Sequence, residues 1–600
     1  MKECDLVLKG GVTSGLAYPQ AISKIGEHYR LRSIGGTSAG SMAAALAAAA
    51  EYRRQTDKNF AGYEKFKVID AQLASDMRAM LQPSEALAPL YQIGVDYLER
   101  DGLGDSFLER AKNLWKYYRL LKPYRQDAKP AARRNGGAVA GGGILASFAL
   151  GGGGLAGAGL VGGVGLYAIQ VLYKTLRNIQ KELQAHDFGV LPGTTQGDQP
   201  KAAIIDWLAD RVDEIAGNWP DGMAPEKPLT AKDLRSHDIK LSAVTTDLSS
   251  RRPFQLPFSF SEHHYFREHE MNAVIPPRVV RWMIKIAKGK EKQITIDGRS
   301  ETLYPLPDYD NFPVILTTRM SMSFPGLIQA VPLWRVDKTT KKWARCLFSD
   351  GGISSNLPVH MFDDWLPDRP TFAVSLGSYD EERHGRDNGS IESRVRFSDK
   401  VQDVLEYPAY RISGILGFLG AMFYSAKDWQ DNLQSNLTGF RERVAEILLD
   451  KSQGGLNLDM SEEEIRILQS YGKLAGEKIV SKFDFDENRY RRALSILPIL
   501  GSNLAGAAKV ITEHPPSSDE ALAQTYLELL QTHASDAFEQ SDEWRDNALV
   551  PFVEQLAALG ATEEVRRLSE GKLPHTDAKL SLTATPEMTR PQGAVGQPIA

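Results

Sequence analysis

The spacing of hydrophobic and polar positions predicts an alternation of strands and helices near the N-terminus. Residues 6–8 form a short apolar run typical of a buried strand, and residues 16–29 carry apolar side chains at helical spacing. Residues 31–34 predict a second strand. The alanine-rich run 41–50 predicts a helix, because alanine has the highest helix propensity. This order is typical of a parallel sheet with helices on its faces.

Further along the chain, strand-like runs return at residues 239–246, 345–348 and 371–376, and a helical pattern extends from about residue 395 to 570. The final segment is rich in Pro, Thr, Gly and Lys and has no periodicity. The pattern therefore predicts four parts. These are a catalytic domain at 1–110 and 200–390, an insertion at 111–199, a helical region at 391–570 and a disordered tail at 571–600.

Composition narrows the class of protein. The 600 residues are 42% hydrophobic and 24% charged, with a net charge of -5, which offers no basic surface of the kind that nucleic-acid binding requires. The only cysteines are Cys4 and Cys346, so no disulfide framework is expected. The first apolar run is too short for a secretory signal, and residence in the cytoplasm is the expectation.

Candidate chemistry begins at Ser38, which lies in the run Gly36-Thr37-Ser38-Ala39-Gly40. A G-x-S-x-G run between a strand and a helix forms a sharp turn that presents the serine hydroxyl, and only small neighbours fit beside it. The helix that follows points its positive end at the serine. Ser38 is therefore a candidate nucleophile.

A Ser-His-Asp triad fits the sequence poorly. Only about one strand-helix unit precedes Ser38, and the eleven histidines are scattered. His360 follows Asp350 closely, but its neighbours read as the start of a helix, which leaves it as a minor alternative for the base. Asp350 stands in Asp350-Gly351-Gly352, where the glycines allow a close backbone approach.

Taken in order, these motifs resemble those of the patatin-like phospholipases. The resemblance rests on the Ser38 turn, the glycine turn at 10–15, and Asp350-Gly351-Gly352 followed by residues 356–359. Residues 245–253 and 321–326 resemble further stretches of the family, so that the resemblance covers roughly 5–60 and 239–380. It implies a three-layer α/β fold with a mostly parallel central sheet. It also implies that Ser38 is the nucleophile and Asp350 the general base of a dyad, with Gly36, Gly40, Gly351 and Gly352 as supporting glycines.

The glycine turn would supply the oxyanion hole, through the backbone N–H groups of Gly10, Gly11 and Val12. Here the sequence departs from the family, which has a third glycine at the place of Val12 and an Arg or Lys at the place of Ser14. Lys9 is the alternative source of positive charge. A phosphate-binding loop is excluded, because no Gly-Lys-Ser/Thr follows.

The insertion contains 39 residues without a charged side chain, 135–173, divided by the glycines at 151–154. Such a length can reach across a hydrocarbon core of about 30 Å. Basic residues flank both ends, and the run 115–125 mixes aromatic and basic side chains that suit the headgroup zone. We expect a shallow or re-entrant hairpin at a membrane, with a glycine-rich lid as the alternative. A second uncharged stretch, 412–426, predicts a buried helix or pocket wall.

The resemblance implies a serine lipid acyl hydrolase that cleaves carboxyl esters of phospholipids or lysophospholipids through an acyl-enzyme, without metal or cofactor. An acyltransferase or thioesterase using the same dyad is one alternative. A membrane-inserting toxin or effector, in which hydrolysis is secondary, is another. The expected partners are the lipid substrate and a membrane surface, with no nucleic acid, and a protein activator is left open. The expected location is the cytoplasm, peripheral to the membrane or shallowly inserted in it.

Overall fold

The computed structural model describes most of the chain. The described residues are 1–11, 14–99, 107–125, 153–219, 222–258, 264–296, 298–386, 389–398, 412, 418, 421–422, 425, 440–450, 453–454, 460–513, 524–532 and 542–569. Four predictions fall wholly or partly outside them: Val12 as an oxyanion donor, the first half of the uncharged stretch, most of the second uncharged stretch at 412–426, and the tail at 571–600.

Most strands fall within the predicted catalytic domain, but β3 lies in the predicted insertion, and β13 and β14 lie beyond residue 390. They are β1 Lys2–Leu8, β2 Tyr29–Gly36, β3 Gly189–Leu191, β4 Lys240–Asp247, β5 Arg252–Leu256, β6 Tyr265–Phe266, β7 Lys292–Ile296, β8 Arg299–Pro305, β9 Gly326–Ile328, β10 Val331–Val336, β11 Trp343–Asp350, β12 Thr371–Ser378, β13 Val395–Phe397 and β14 Val444–Leu449. The strands predicted from the sequence correspond to β1, β2, β4, β11 and β12 and are confirmed.

The helices vary in length from single turns to more than thirty residues. They are α1 Tyr18–His28, α2 Ala39–Asp57, α3 Ala61–Glu64, α4 Phe66–Met80, α5 Ala88–Glu99, α6 Phe107–Leu120, α7 Lys122–Arg125, α8 Gly153–Ala185, α9 Ile204–Ile215, α10 Ala231–Arg235, α11 Glu268–Asn272, α12 Pro277–Ala287, α13 Val314–Ser321, α14 Glu381–His384, α15 Ile391–Arg394, α16 Glu462–Lys482, α17 Phe485–Thr512, α18 Tyr526–Thr532, α19 Asp542–Trp544, α20 Val550–Gly560 and α21 Glu563–Ser569.

Within the described residues, twelve strands form one mixed sheet. Its order is β13-β14-β12-β1-β2-β4-β11-β10-β6-β8-β7, with β5 paired to β4. The five strands β14, β12, β1, β2 and β4 are parallel, whereas β11, β10, β6, β8 and β7 continue the sheet by antiparallel pairing. The expectation of a mostly parallel sheet thus holds for one half only. Antiparallel neighbours such as β10 and β11 are joined by a short hairpin. The residue pattern of each of these strands resembles that of a strand in a parallel sheet.

Side chains of β1 alternate between two apolar layers, as the period of a strand requires. Leu6 and Leu8 belong to the main core with Ile34 on β2, whereas Val7 packs on the other face with Leu357 and Ala373. Both faces of the sheet are therefore covered where β1 crosses it, and the ends of β1 and β2 are fixed between two packed layers.

The sheet and the core extend past residue 390, where the sequence pattern placed the end of the catalytic domain. Strand β14 pairs with β12, and α16 packs along α1, where Gly472 lies against the carbonyl of Ala17 so closely that a Cβ would overlap it. Ile465, Leu468 and Ile479 of α16 are buried in the main core. The helical pattern of the C-terminal region is confirmed, but part of that region completes the catalytic fold.

Beyond α16, the helices α17, α20 and α21 pack on one another. Helix α17 is, among the described residues, the one helix long and apolar enough to cross a membrane by length and composition, and 22% of its most apolar window is buried. Helix α17 also packs against α20 and α21 as a helix of a bundle does. Its length and composition alone therefore do not show that it crosses a membrane.

Candidate active site

Ser38 occupies the turn between β2 and α2. Its backbone has φ 52° and ψ -129°, a conformation that residues other than glycine rarely adopt. A Cβ on Gly40 would overlap the carbonyl of Leu8, and one on Gly36 would lie 2.5 Å from the carbonyl carbon of Gly40. The turn is therefore tight enough to require glycine on both sides of the serine, as the G-x-S-x-G run predicts.

The hydroxyl of Ser38 lies beneath the glycine turn that follows β1. Its Oγ donates to the carbonyl of Gly11 at 3.5 Å, and the next backbone N–H, that of Ala39, donates to the same carbonyl at 3.2 Å. Ser38 is 7% exposed. The glycine turn and the candidate nucleophile are thus in direct contact.

Asp350 is the last residue of β11 and is 2% exposed. Its Oδ1 accepts a hydrogen bond from the N–H of Gly352 at 2.6 Å, and its carbonyl accepts one from Thr246 Oγ1 at 3.1 Å. Gly351 passes the backbone of Val244 so closely that a Cβ would overlap its carbonyl oxygen. The two glycines after the aspartate therefore let β11 turn sharply over β4.

Strand register brings Ser38 and Asp350 to the same edge of the sheet. On β4, Ala243 pairs with Gly36 and Thr245 pairs with Asp350. Gly36, two residues before Ser38, and Asp350 therefore pair with opposite edges of β4 within two residues of each other. The turn that carries Ser38 and the end of β11 thus flank the same strand.

A single segment, the end of α13 and the turn after it, holds the backbone of both residues. The carbonyl of Ser321 accepts the N–H of Ser38 at 3.3 Å. The carbonyl of Ser323 accepts the N–H of Asp350 at 3.0 Å and the hydroxyl of Ser349 at 2.8 Å. Any shift of this segment moves both candidate catalytic residues together.

Arg319 anchors that segment and is fully buried. Its guanidinium donates to the carbonyls of Val274 (3.1 Å), Pro192 (3.1 Å) and Gln329 (2.6 Å), and to Ser323 Oγ (2.5 Å). Burial lowers the pKa of Arg319 to about 9, so the group keeps its charge at neutral pH. The sequence identified residues 321–326 as a stretch that resembles the family but did not single out Arg319, although an arginine in such an apolar and hydroxyl-rich run is itself a signal.

Asn356 joins three of the motifs. Its carbonyl accepts the N–H of Gly10 at 2.8 Å and Thr37 Oγ1 at 2.9 Å. Its Oδ1 would lie 2.8 Å from a Cβ on Gly352 and would overlap one on Gly10. The sequence identified Asn356 only as part of a matching run, whereas the structure makes it the contact between the glycine turn, the serine turn and the turn after Asp350.

These contacts correct one prediction for the oxyanion hole. The N–H of Gly10 already donates to the carbonyl of Asn356, so it does not serve as a donor to a substrate oxygen. The role of the Gly11 N–H stays a prediction, and Val12 lies outside the described residues. Lys9, the alternative source of charge, donates its Nζ to the carbonyl of Leu376 at 3.1 Å. His360 is exposed, in contrast to the buried Ser38 and Asp350.

An apolar cavity begins beside the serine turn. Ala39, which follows Ser38 directly, forms part of its wall, together with residues of α1 and the turn before it, α2, α4, α9, β9 and the turn after α13. Larger side chains that line it include Met42, Leu73, Met77, Trp207, Met322 and Leu327. Such a wall binds a hydrocarbon chain through burial of apolar surface. Within the described residues, no group of three or more His, Cys, Asp or Glu is placed to hold a metal ion.

Comparison with known proteins gives a consistent family and a distant structural match. The family model for patatin-like phospholipase matches residues 6–363, which include both candidate residues. The RpoH suppressor of Rhizobium meliloti (strain 1021) is 32% identical over 560 residues, or 82% of this chain and 84% of that protein. The crystal structure of VipD from Legionella pneumophila aligns with 95% of this chain and with 85% of the VipD chain at 14% identity. The TM-score is 0.28, which is too low to compare the two structures in detail.

Proposed function

Because the chain belongs to the patatin-like phospholipase family, an esterase family, we propose that it hydrolyses carboxyl esters of membrane phospholipids or lysophospholipids through Ser38 and Asp350. The observation that carries the proposal is the shared support of the two residues. Ser321 and Ser323 of one buried segment bind the backbone of Ser38 and Asp350, at an edge of the sheet that opens on an apolar cavity.

In the proposed reaction, the carboxylate of Asp350 takes the proton of Ser38 Oγ as that oxygen attacks the ester carbonyl. The tetrahedral oxyanion is stabilised by N–H groups of the turn at Gly11. Its collapse breaks the bond to the leaving alcohol, which receives the proton from Asp350, and the acyl-enzyme remains. Asp350 then takes a proton from water, the hydroxide attacks the acyl carbonyl, and Ser38 recovers its proton as the fatty acid leaves.

The surroundings of the two residues support this chemistry. Asp350 is nearly completely buried, while one oxygen is held by the amide of Gly352, which keeps the side chain oriented. The apolar wall that starts at Ala39 supports an acyl chain as the group bound next to the attacking oxygen.

The proposed location is the cytoplasm. Both cysteines of the chain are buried and neither forms a disulfide, which is compatible with a reducing compartment.

The test is fatty-acid release from mixed phospholipid vesicles by the wild type, Ser38→Ala and Asp350→Ala. We expect each substitution to lower release by roughly a thousandfold or more, because the residues of such a unit act together. Ser75→Ala and Asp368→Asn, at exposed positions, are the matched controls and should retain full activity. Release that persists without Ser38 would refute the assignment, and product analysis with an added alcohol acceptor separates hydrolysis from acyl transfer.

A further inference from the structure

The inserted helices carry a charge opposite to that of the chain as a whole. Helices α6, α7 and α8 contain nine basic and two acidic side chains, a net charge of +7, whereas the whole chain carries -5. Of these, Lys112 and Arg119 on α6, Lys122 on α7, and Arg177 and Lys181 on α8 are exposed. The insertion is therefore the basic part of an acidic protein.

Apolar and aromatic side chains are exposed on the same helices. On α6, Trp115 is 62% and Tyr118 52% exposed. On α8, the exposed side chains recur at intervals of three and four residues and so lie on one face of the helix. They are Ile169, Leu172, Tyr173 and Leu176, each more than half exposed. The opposite face of α8, at Val171 and Thr175, is buried.

Contacts join the three helices to one another. Asn178 of α8 donates to the carbonyl of Tyr124 on α7 at 2.8 Å. Arg125 of α7 donates to the carbonyl of Tyr118 on α6, with its guanidinium 3.5 Å from the Tyr118 ring centre. Arg119 lies 5.0 Å from the ring centre of Trp115. We name the exposed residues of α6, α7 and α8 the basic-aromatic surface.

We infer that the basic-aromatic surface docks on a lipid bilayer that contains anionic lipid. Aromatic and basic side chains occur together at the headgroup level of membranes. Trp and Tyr suit this level because each ring is largely apolar and carries one polar group. Each Lys or Arg near an anionic surface adds about 1 kcal/mol of attraction. The positive charge of the insertion complements such a surface. The exposed apolar face of α8 also favours a partner that can bury apolar side chains, which a bilayer can do and a purely charged partner cannot.

The path of the chain connects this surface to the candidate active site. After α8, the chain passes through the half-exposed Phe188 into β3, which pairs with β9. Leu327 and Ile328 of β9 line the apolar cavity next to Ser38. The helix that carries the apolar face of the surface is therefore joined to the cavity wall through the β3–β9 pair. In this respect the inference extends the proposed function and rests on it for the choice of lipid as substrate.

The test measures co-flotation with vesicles of phosphatidylcholine alone and of equal parts phosphatidylcholine and phosphatidylglycerol. All proteins carry Ser38→Ala, so that binding is measured without hydrolysis. The charge variant is Arg119→Gln/Arg177→Gln/Lys181→Gln. Its matched control, Lys288→Gln/Lys290→Gln/Lys292→Gln, removes the same charge from exposed positions around the turn before β7, the last strand of the sheet order. The aromatic variant is Trp115→Ser/Tyr173→Ser, with the exposed Trp365→Ser as its control.

We expect binding to the anionic vesicles, roughly 100-fold weaker in the charge variant and close to the parent level in its control. The aromatic variant should also bind more weakly than Trp365→Ser. The inference is overturned if the parent protein does not bind anionic vesicles, if it binds neutral ones equally well, or if the charge variant matches its control. It is also overturned if the aromatic variant converts a dimer to a monomer, since a second copy would then cover the surface.

The same substitutions with Ser38 intact separate this inference from the proposed function. Hydrolysis of a soluble short-chain ester should be unchanged in the charge variant, whereas release from anionic vesicles should fall with binding. A wild type that floats with vesicles but hydrolyses neither substrate would refute the proposed function and leave the docking surface standing.

Discussion

Ser38 is held in a backbone conformation that costs of order 1–3 kcal/mol, and its neighbours compensate for that cost. Its N–H is bound by Ser321, its carbonyl accepts Ser41 Oγ at 2.6 Å, and the glycines beside it remove the overlaps that other residues would cause. The hydroxyl of the same residue lies 3.5 Å from the carbonyl of Gly11, and the next residue, Ala39, lines the cavity. At the residue scale, the site is therefore a strained position maintained by contacts from distant parts of the chain.

Arg319 offers the sharpest test of those contacts. Lysine at this position keeps the charge but loses the planar fork that reaches four acceptors, and hydrogen bonds from charged groups contribute about 1.5–3 kcal/mol each. We expect Arg319→Lys to lower the melting temperature and also to lower kcat on a soluble ester more than it changes KM, because the segment that positions Ser38 and Asp350 shifts.

The readout is kcat and KM beside thermal unfolding, with Arg235→Lys, an exposed ion-pair arginine, as control. A variant with reduced stability but unchanged kcat would assign Arg319 a structural role only.

At the scale of elements, the most consequential contact is that of α16 with α1. Small residues at the crossing, Gly472 and Gly476, let the two helices approach backbone to backbone. Helix α4 packs beside both, and the side-chain amide of Gln469 on α16 donates to the carbonyl of Asp70 on α4 at 3.0 Å. The layer that covers the sheet near Ser38 is thus assembled from both ends of the chain.

Asp70 introduces a pH dependence into that layer. Its carboxyl is hydrogen-bonded by Gln20 through Oδ2, its Oδ1 is buried without a hydrogen-bond partner, and burial raises its pKa from 3.8 to about 6. The pKa of Asp70 is higher in the folded chain than in the unfolded chain, so the folded state favours the protonated, uncharged carboxyl. The stability that Asp70 contributes is therefore full below pH 3.8 and is lost as the pH rises through about 6.

We therefore expect Asp70→Asn to be more stable than the wild type by about 3 kcal/mol at pH 7 and by less than about 1 kcal/mol at pH 4, since the amide carries no charge to bury. Thermal or urea unfolding at the two pH values measures the difference. Asp76→Asn on the same helix, which removes a partly exposed ion pair with Lys201, should instead lose a little stability at pH 7. A stability gain for Asp70→Asn that is the same at both pH values would contradict the explanation.

At the scale of the whole molecule, the catalytic fold is discontinuous along the chain. Its sheet contains both β1, near the N-terminus, and β14, at residues 444–449. In the order of strands across the sheet, β12 lies between these two. Arg443, nearly fully buried at the start of β14, pairs with Asp363 at 2.9 Å. The segment beyond residue 390 therefore belongs to the framework that carries the site.

A chain that ends at residue 390 should consequently fail to fold, because it exposes the edge of β12 and the face of α1 that α16 covers. A chain that ends at 570 retains every described residue and should keep the stability and esterase activity of the full protein. Soluble yield, thermal unfolding and hydrolysis of a short-chain ester compare the two. A soluble, active 1–390 fragment would show that β14 and α16 are dispensable.

The sequence by itself determined the features that depend on near neighbours. The turn at Ser38 and its two glycines, the Asp-Gly-Gly turn, the strands beside them and the helical character of the C-terminal region all follow from residue types within a few positions of one another. Such local patterns identify strands, helices and tight turns because backbone geometry restricts which residues fit.

Only the tertiary structure decided how these pieces meet. The use of the Gly10 amide by Asn356, the anchoring of Ser38 and Asp350 by the Arg319 segment, and the pairing of β14 with β12 join residues far apart in sequence. Periodicity also does not distinguish a parallel from an antiparallel neighbour, so the mixed character of the sheet was not predictable. These contacts are set by how whole layers pack, and no local residue pattern encodes the partner that a hydrogen-bonding group finds in the folded chain.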